Sequence, residues 1–238
     1  MSFLTTLGFG RGGWGFLLLH AAAMTLAVTM AALALGAAIG ALIAAAKLSR
    51  VRALVLIGDL YTTVFRAVPE LLIIYGIYFG GSSIIMALGH VVGYHGFIAF
   101  PPFLAGTIAV GTISGAYQSE VFRGSFLAIS RGELEAASAI GMPRTVCFRR
   151  IVIPQVLRFA LPWLNYVFQL SVKDSSLISV TGLVEIMRAS EIGGGSTHQY
   201  FVFYLAGASL YLVITSISEI VFGSAERQVA RTFKRSIT

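Results

Sequence analysis

The chain has 238 residues, 57% of them hydrophobic and 11% charged, with a formal net charge of +7 and a mean hydropathy of +0.85. About a quarter of the residues of a soluble domain are charged, so this chain cannot cover a water-facing surface and reads as an all-α integral membrane protein. Its length suits one domain, residues 1–238, and its single cysteine, Cys147, excludes a disulfide framework and a cysteine-based zinc site.

The apolar run from Phe16 to Ala46 is too long for a cleavable signal, and no Lys/Arg cluster precedes it. It therefore reads as a retained first span. Five segments reach the roughly 20 apolar residues that a span needs: Leu17–Ala46, Ala53–Phe79, Phe97–Tyr117, Ile151–Val172 and Phe201–Phe222. Basic residues collect in cytoplasmic loops. "KLSRVR" after the first span carries Lys47, Arg50 and Arg52, whereas residues 80–100 carry neither Lys nor Arg. The stretch after the third span carries Arg123, Arg131, Arg144, Arg149 and Arg150, and the tail carries Arg227, Arg231, Lys234 and Arg235. This alternation predicts five transmembrane helices with the N-terminus outside and the C-terminus cytoplasmic. It also makes the positive charge an orientation signal and not a nucleic-acid footprint.

Charges inside the spans are candidates for function, because ionised groups at membrane depth cost several kcal/mol unless paired or wet. The second span contains Asp59, Arg66, Pro69 and Glu70. Arg66 and Glu70 stand at i, i+4, where they can pair, and Pro69 breaks the helix beside them, as in many transport sites. Two readings stay open, a structural ion pair and a lining of a substrate path. Glu120 and Arg123, near the cytoplasmic end of the third span, are an interfacial salt bridge or part of the same path. After the fourth span, "VKDSS" groups Lys173, Asp174, Ser175 and Ser176, which either start a solvated loop or grip a zwitterion with opposite charges. Glycine pairs at four-residue spacing, Gly36/Gly40, Gly76/Gly80 and Gly111/Gly115, predict close helix packing within the bundle or between subunits. His90 and His95 read as solvated loop residues, no metal site is expected, and Gly193–Gly195 reads as a flexible turn.

The polar stretch of about 130–155, between the third and fourth spans, predicts a folded elbow. Ser130 and Glu133 match a capping box at the start of one short helix, Gly141 ends it, and Pro143 suits the first turn of a second that runs into Pro154. By itself such a segment is also compatible with a connector lying on lipid headgroups. Its residues resemble the EAA loop of the membrane subunits of ATP-binding-cassette (ABC) importers: Glu135-Ala136-Ala137, three residues, Gly141, nine residues, Ile151, one residue, then Ile153-Pro154. Ile153 stands where that family usually has Leu. "YTTVFRAVPELL", "YQSEVFRGSFLAIS" and "VKDSSLISV" are similar to the polar amino-acid branch of these permeases, especially the subunits that import histidine, lysine, arginine and ornithine or octopine and nopaline.

The resemblance implies a bundle coupled through Glu135, Ala136, Ala137, Gly141, Ile151 and Pro154 to a cytoplasmic ABC ATPase dimer, which would hold the ATP and magnesium. This chain has no G-x-x-x-x-G-K-[ST] phosphate loop and no cofactor or catalytic residue of its own is expected. A second, similar permease in a heterodimer, a periplasmic substrate-binding protein and a bacterial inner-membrane location are implied as well. The expected cargo is a basic amino acid or an opine, with neutral or acidic amino acids as the alternative. The candidate path comprises Arg66, Pro69, Glu70, Glu120, Lys173, Asp174 and Ser175. A channel or ion-coupled carrier leaves the elbow unexplained. An intramembrane protease built on Ser114 lacks a patterned base among His20, His90, His95 and His198.

Overall fold

Lipid satisfies no backbone hydrogen bond, so apolar runs close their own as helices. The computed structural model describes residues 6–10, 12–91, 93, 96 and 98–235, with side chains as far as residue 229. Its described elements are helical throughout. Helix α1, Gly15–Lys47, has 33 residues and is about 50 Å long. Helix α2 is Arg52–Ala67, α3 is Glu70–Val91 and α4 is Pro102–Leu127. Among the described residues, four stretches are long and apolar enough to cross a membrane: Gly15–Lys47, Glu70–Val91, Arg144–Thr181 and Tyr200–Val229.

The expected span Ala53–Phe79 is two helices, not one. Proline disfavours the helical conformation of the residue before it. Val68 accordingly takes φ −79° and ψ 133° and ends α2. Pro69 then opens α3, its carbonyl accepting the N–H of Leu72 at 3.0 Å. The apolar crossing stretch is therefore shifted to α3, and residues 80–91, expected in a loop, are helical. Ser82 is buried there; its hydroxyl donates to the Tyr78 carbonyl at 2.7 Å and accepts the Phe100 N–H at 2.9 Å.

The expected third span corresponds to α4, although Phe97 and His95 lie outside the described residues. This helix buries Ala105, Ala109, Ser114, Gln118 and Ser119 among others. Small and polar side chains suit a helix packed inside other helices, and this helix is not among the four stretches apolar enough to cross a membrane. It packs along α1 through two of the glycine pairs. A Cβ on Gly36 would lie 2.2 Å from the Ser114 hydroxyl, and one on Gly40 would lie 2.9 Å from the Gln118 Cβ. Gly76 and Gly80 on α3 instead face open space.

The elbow holds α5, Arg131–Ala139, and α6, Arg144–Cys147; α6 continues through a π turn at Phe148–Val152 into α7, Ile153–Asp174. A 3-10 segment, Ser175–Thr181, then leads to α8, Ile186–Thr197, and α9, Tyr200–Arg235. Gly193–Gly195 is not a flexible turn. It lies in α8, where a Cβ on Gly193 would sit 2.2 Å from the Phe203 ring and one on Gly194 2.8 Å from the Tyr200 ring. The glycines let α8 lie flat on α9. One core joins Val28, Ala32, Ile74, Ala109, Val110 and Ile178, and a second joins Phe168, Val172, Ile186 and Ile214. The side chains of Arg231, Lys234 and Arg235 lie outside the described residues.

Candidate functional site

Ser130 occupies the position before α5, and its carbonyl accepts the Glu133 N–H at 3.2 Å. The reciprocal side-chain bonds of a capping box do not form; Ser130 makes no side-chain cap bond, and the Glu133 carboxylate instead accepts the Gln155 amide. That bond ties α5 across to α7. At the other end Gly141 has φ +70°. Its N–H donates to the Ser138 carbonyl at 3.0 Å, and the Met142 N–H donates to the Ala137 carbonyl at 3.0 Å. This pair of bonds is the Schellman arrangement, which glycine permits without a Cβ penalty. The Pro143 carbonyl accepts the Cys147 N–H at 2.9 Å and so starts α6.

Pro154 has no N–H to give, and just before it the Ile153 N–H reaches back to the Phe148 carbonyl, forming the π turn. The second short helix is thus continuous with α7 and not separated from it. Ala136, Ala137 and Ile151 share a cleft of about 430 Å³ with Glu133, Ile140, Met142, Arg150 and Gln155. Glu135 and Gly141 are exposed outside that cleft, and Pro154 is half-buried. Ile140 and Phe148 remain 76% and 54% exposed, which leaves the elbow with apolar side chains on a polar, basic surface.

Of the candidate path residues, Arg66 and Glu120 share a cavity. This cavity of about 570 Å³ is lined by Arg66, Tyr117, Glu120, Phe159, Trp163 and Tyr166, among others. The expected Arg66–Glu70 pair is absent, because the break at Pro69 removes the helical register that would align them. Arg66 instead lies over the Tyr117 ring, 5.4 Å from its centroid. Pro69, Glu70, Lys173, Asp174 and Ser175 stand outside that lining. The break therefore leaves one cation, Arg66, on the aromatic wall. Asp174 is buried and Lys173 exposed, so the two neighbours point to different surroundings. Ser175 is buried and spends its hydroxyl on the Val172 carbonyl at 2.7 Å.

Glu120 meets a different environment from the one expected of a free path residue. Its Oε2 accepts from Arg123 Nε at 3.0 Å and Nη2 at 2.8 Å. Its Oε1 accepts from Lys47, which also holds Asp59 at 2.8 Å and the Thr62 hydroxyl at 3.0 Å. Lys47, read from sequence as an orientation signal, has a side chain only 8% exposed.

Sequence reasoning passed over Glu185. Glu185 is fully buried and caps α8, accepting the Met187 and Arg188 N–H groups at 2.8 Å each and the Tyr211 hydroxyl at 2.9 Å. The signal available was an acidic residue immediately before a helix start.

The family described as binding-protein-dependent transport system inner membrane component matches residues 36–231. The octopine transport system permease protein OccQ of Rhizobium radiobacter is 47% identical over 237 residues, covering 100% of both chains. The histidine/lysine/arginine/ornithine transport system permease protein HisQ of Escherichia coli (strain K12) is 36% identical over 224 residues, covering 94% of this chain and 98% of that one. Among solved structures, a crystal structure of an amino acid ABC transporter with histidines superposes with a TM-score of 0.79 at 29% identity, covering 96% of this chain and 99% of that chain.

Proposed function

The chain belongs to the binding-protein-dependent transport system inner membrane components, and from that premise we propose that it is the permease subunit of an ATP-driven importer of basic amino acids or opines. The bundle crosses the inner membrane five times, with α4 as the interior crossing, the N-terminus outside and the elbow and tail in the cytoplasm. A second, similar permease completes the path. A periplasmic binding protein delivers the cargo from outside. An ATPase dimer, which carries the ATP and magnesium, docks on the elbow.

The observation that carries the cargo class is the 570 Å³ cavity, which Arg66 lines together with the Tyr117, Trp163 and Tyr166 rings. A ligand with an α-carboxylate and a side-chain cation offers Arg66 an anion, and Glu70 and Asp174 are the proposed partners of its cation. The Tyr117, Trp163 and Tyr166 rings supply faces for a guanidinium or ammonium group. The names of OccQ and HisQ point to the same cargo class. In the elbow, Glu135, Ala136, Ala137, Gly141, Ile151 and Pro154 build the surface that meets the ATPase. Short helices with fixed ends transmit a push, whereas a flexible loop would absorb it.

The test is reconstitution in proteoliposomes with the partner permease, ATPase and binding protein of the same operon. Arginine and octopine should be taken up with ATP hydrolysis stimulated by loaded binding protein, and glutamine and glutamate should not. Equal uptake of glutamate would overturn the cargo class. Uptake without any ATPase would overturn the importer reading.

A further inference from the structure

The Lys47 side chain is buried, 8% exposed, in a junction whose Asp59 side reaches the surface at 55% exposed. An ammonium group has three donors, and here each has its own acceptor: the Asp59 carboxylate at 2.8 Å, the Thr62 hydroxyl at 3.0 Å and the Glu120 carboxylate. Arg123 closes the other side of Glu120 at 2.8 Å. Two cations thus meet two carboxylates, and the cluster is balanced. The stem of Lys47 also has a seat. A Cβ on Gly58 would lie 2.5 Å from the Lys47 Cγ, so the bare backbone of α2 is what lets the chain pass.

The junction joins three elements. Lys47 ends α1, Asp59 and Thr62 stand on α2, and Glu120 and Arg123 stand on α4. Glu120 and Arg66 line the same cavity. Only residues 128–130 separate the end of α4 from the first elbow helix, and Ile129 among them is buried. A displacement of the elbow therefore reaches α4 through a short, anchored link. Whether it then moves the cavity wall or is lost as slip between helices depends on what binds α4 to α1 and α2 at that end.

Resting on the importer function proposed above, we propose that Lys47 is the positioning residue for energy coupling: it locks the ends of α1, α2 and α4 into one rigid unit, so that motion of the elbow moves the cavity floor at Glu120. Lys47 does not itself touch the cargo.

The experiment uses the complete importer in proteoliposomes and reads two quantities, ATP hydrolysed and arginine taken up. In Lys47→Met the ammonium is lost while the stem remains. Uptake per ATP should fall about tenfold while the complex still assembles and hydrolyses ATP. Lys47→Arg, which keeps the cation and several donors, should recover most of that loss. Lys47→Met with Asp59→Asn restores charge balance, since Glu120 keeps Arg123. If Lys47 serves only to neutralise buried charge, this double variant should regain uptake and assembly together, as buried ion pairs replaced as a unit often do; that recovery would overturn the proposal. Under the proposal the double variant assembles but stays uncoupled. Gly58→Val, which displaces the Lys47 stem from the other side, should give the same uncoupling. Wild-type uptake per ATP in Lys47→Met, or failure of both Lys47 variants to assemble, also refutes the coupling role. Absence of binding-protein-stimulated uptake in the unmodified complex refutes the proposed function instead, so the two failures are distinguishable.

Discussion

Gly141 offers a clean test of how the elbow works, because its environment separates backbone strain from steric clash. Its φ is +70°, yet a Cβ built on it meets nothing within 4 Å. A substitution there is penalised by the left-handed backbone alone, about 1–2 kcal/mol for an ordinary L residue. That cost bears on the two bonds from Gly141 and Met142 that close α5. It lowers the ratio of formed to unformed turn by about 5–30-fold. Asparagine visits this conformation readily, alanine less so and valine least. Gly141→Asn should therefore stay near wild type, Gly141→Ala should lose coupling, and Gly141→Val should lose more. Gly141→Asp matches asparagine in shape but adds a charge at the surface proposed to meet the ATPase, so the difference between Asp and Asn isolates docking from strain. The assays are amide hydrogen exchange across residues 131–145 and uptake per ATP hydrolysed. Exchange should accelerate in the order Asn, Ala, Val, and uptake should fall in parallel. Wild-type protection and uptake in Gly141→Val would refute the argument, since they would mean that the left-handed turn is not needed.

Glu70→Gln should reduce arginine uptake, and adding Arg66→Gln should not restore it, because the two side chains are not an ion pair; recovery in the double variant, measured as initial uptake rates, would return Glu70 to a purely structural role. Glu185→Ala removes two charge-assisted cap bonds and the partner of a buried tyrosine hydroxyl, for a loss of about 2–4 kcal/mol, read as a fall in the melting temperature of the purified complex, with Glu185→Gln milder. Gly36→Ala should destabilise the bundle in the same melting assay, since its Cβ would lie 2.2 Å from the Ser114 hydroxyl, whereas Gly76→Ala, facing open space, should be neutral or stabilising. After replacement of Cys147, a cysteine at Ser82 should resist an impermeant thiol reagent in intact cells because Ser82 is buried; one at Val91 should react from outside, and one at Ile140 only after the cells are opened.

Local chemistry by itself fixed much of this protein. The scarcity of charge set the membrane class, and Lys/Arg asymmetry set the expected orientation. Gly141 and Pro143 marked the ends of the elbow helices, because a left-handed turn and a missing N–H are properties of single residues. Glu120–Arg123 was legible for a related reason: an i, i+3 pair within one helix needs no knowledge of the fold. What failed depended on partners far along the chain. Glu133 bonds Gln155 instead of completing its capping box, and Arg66 turns to Tyr117 once Pro69 has broken the register with Glu70. Lys47 has the same composition signal whether it lies at a headgroup or inside a junction; only the packing of α1 against α2 and α4 brings Asp59, Thr62 and Glu120 to it. Glu185 caps α8 only because packing buries it beside the Tyr211 hydroxyl. Helix ends are written in neighbouring residues, whereas the fate of a charge is decided by which distant side chains desolvate it and which remain to pair with it, and those are chosen only when the helices pack.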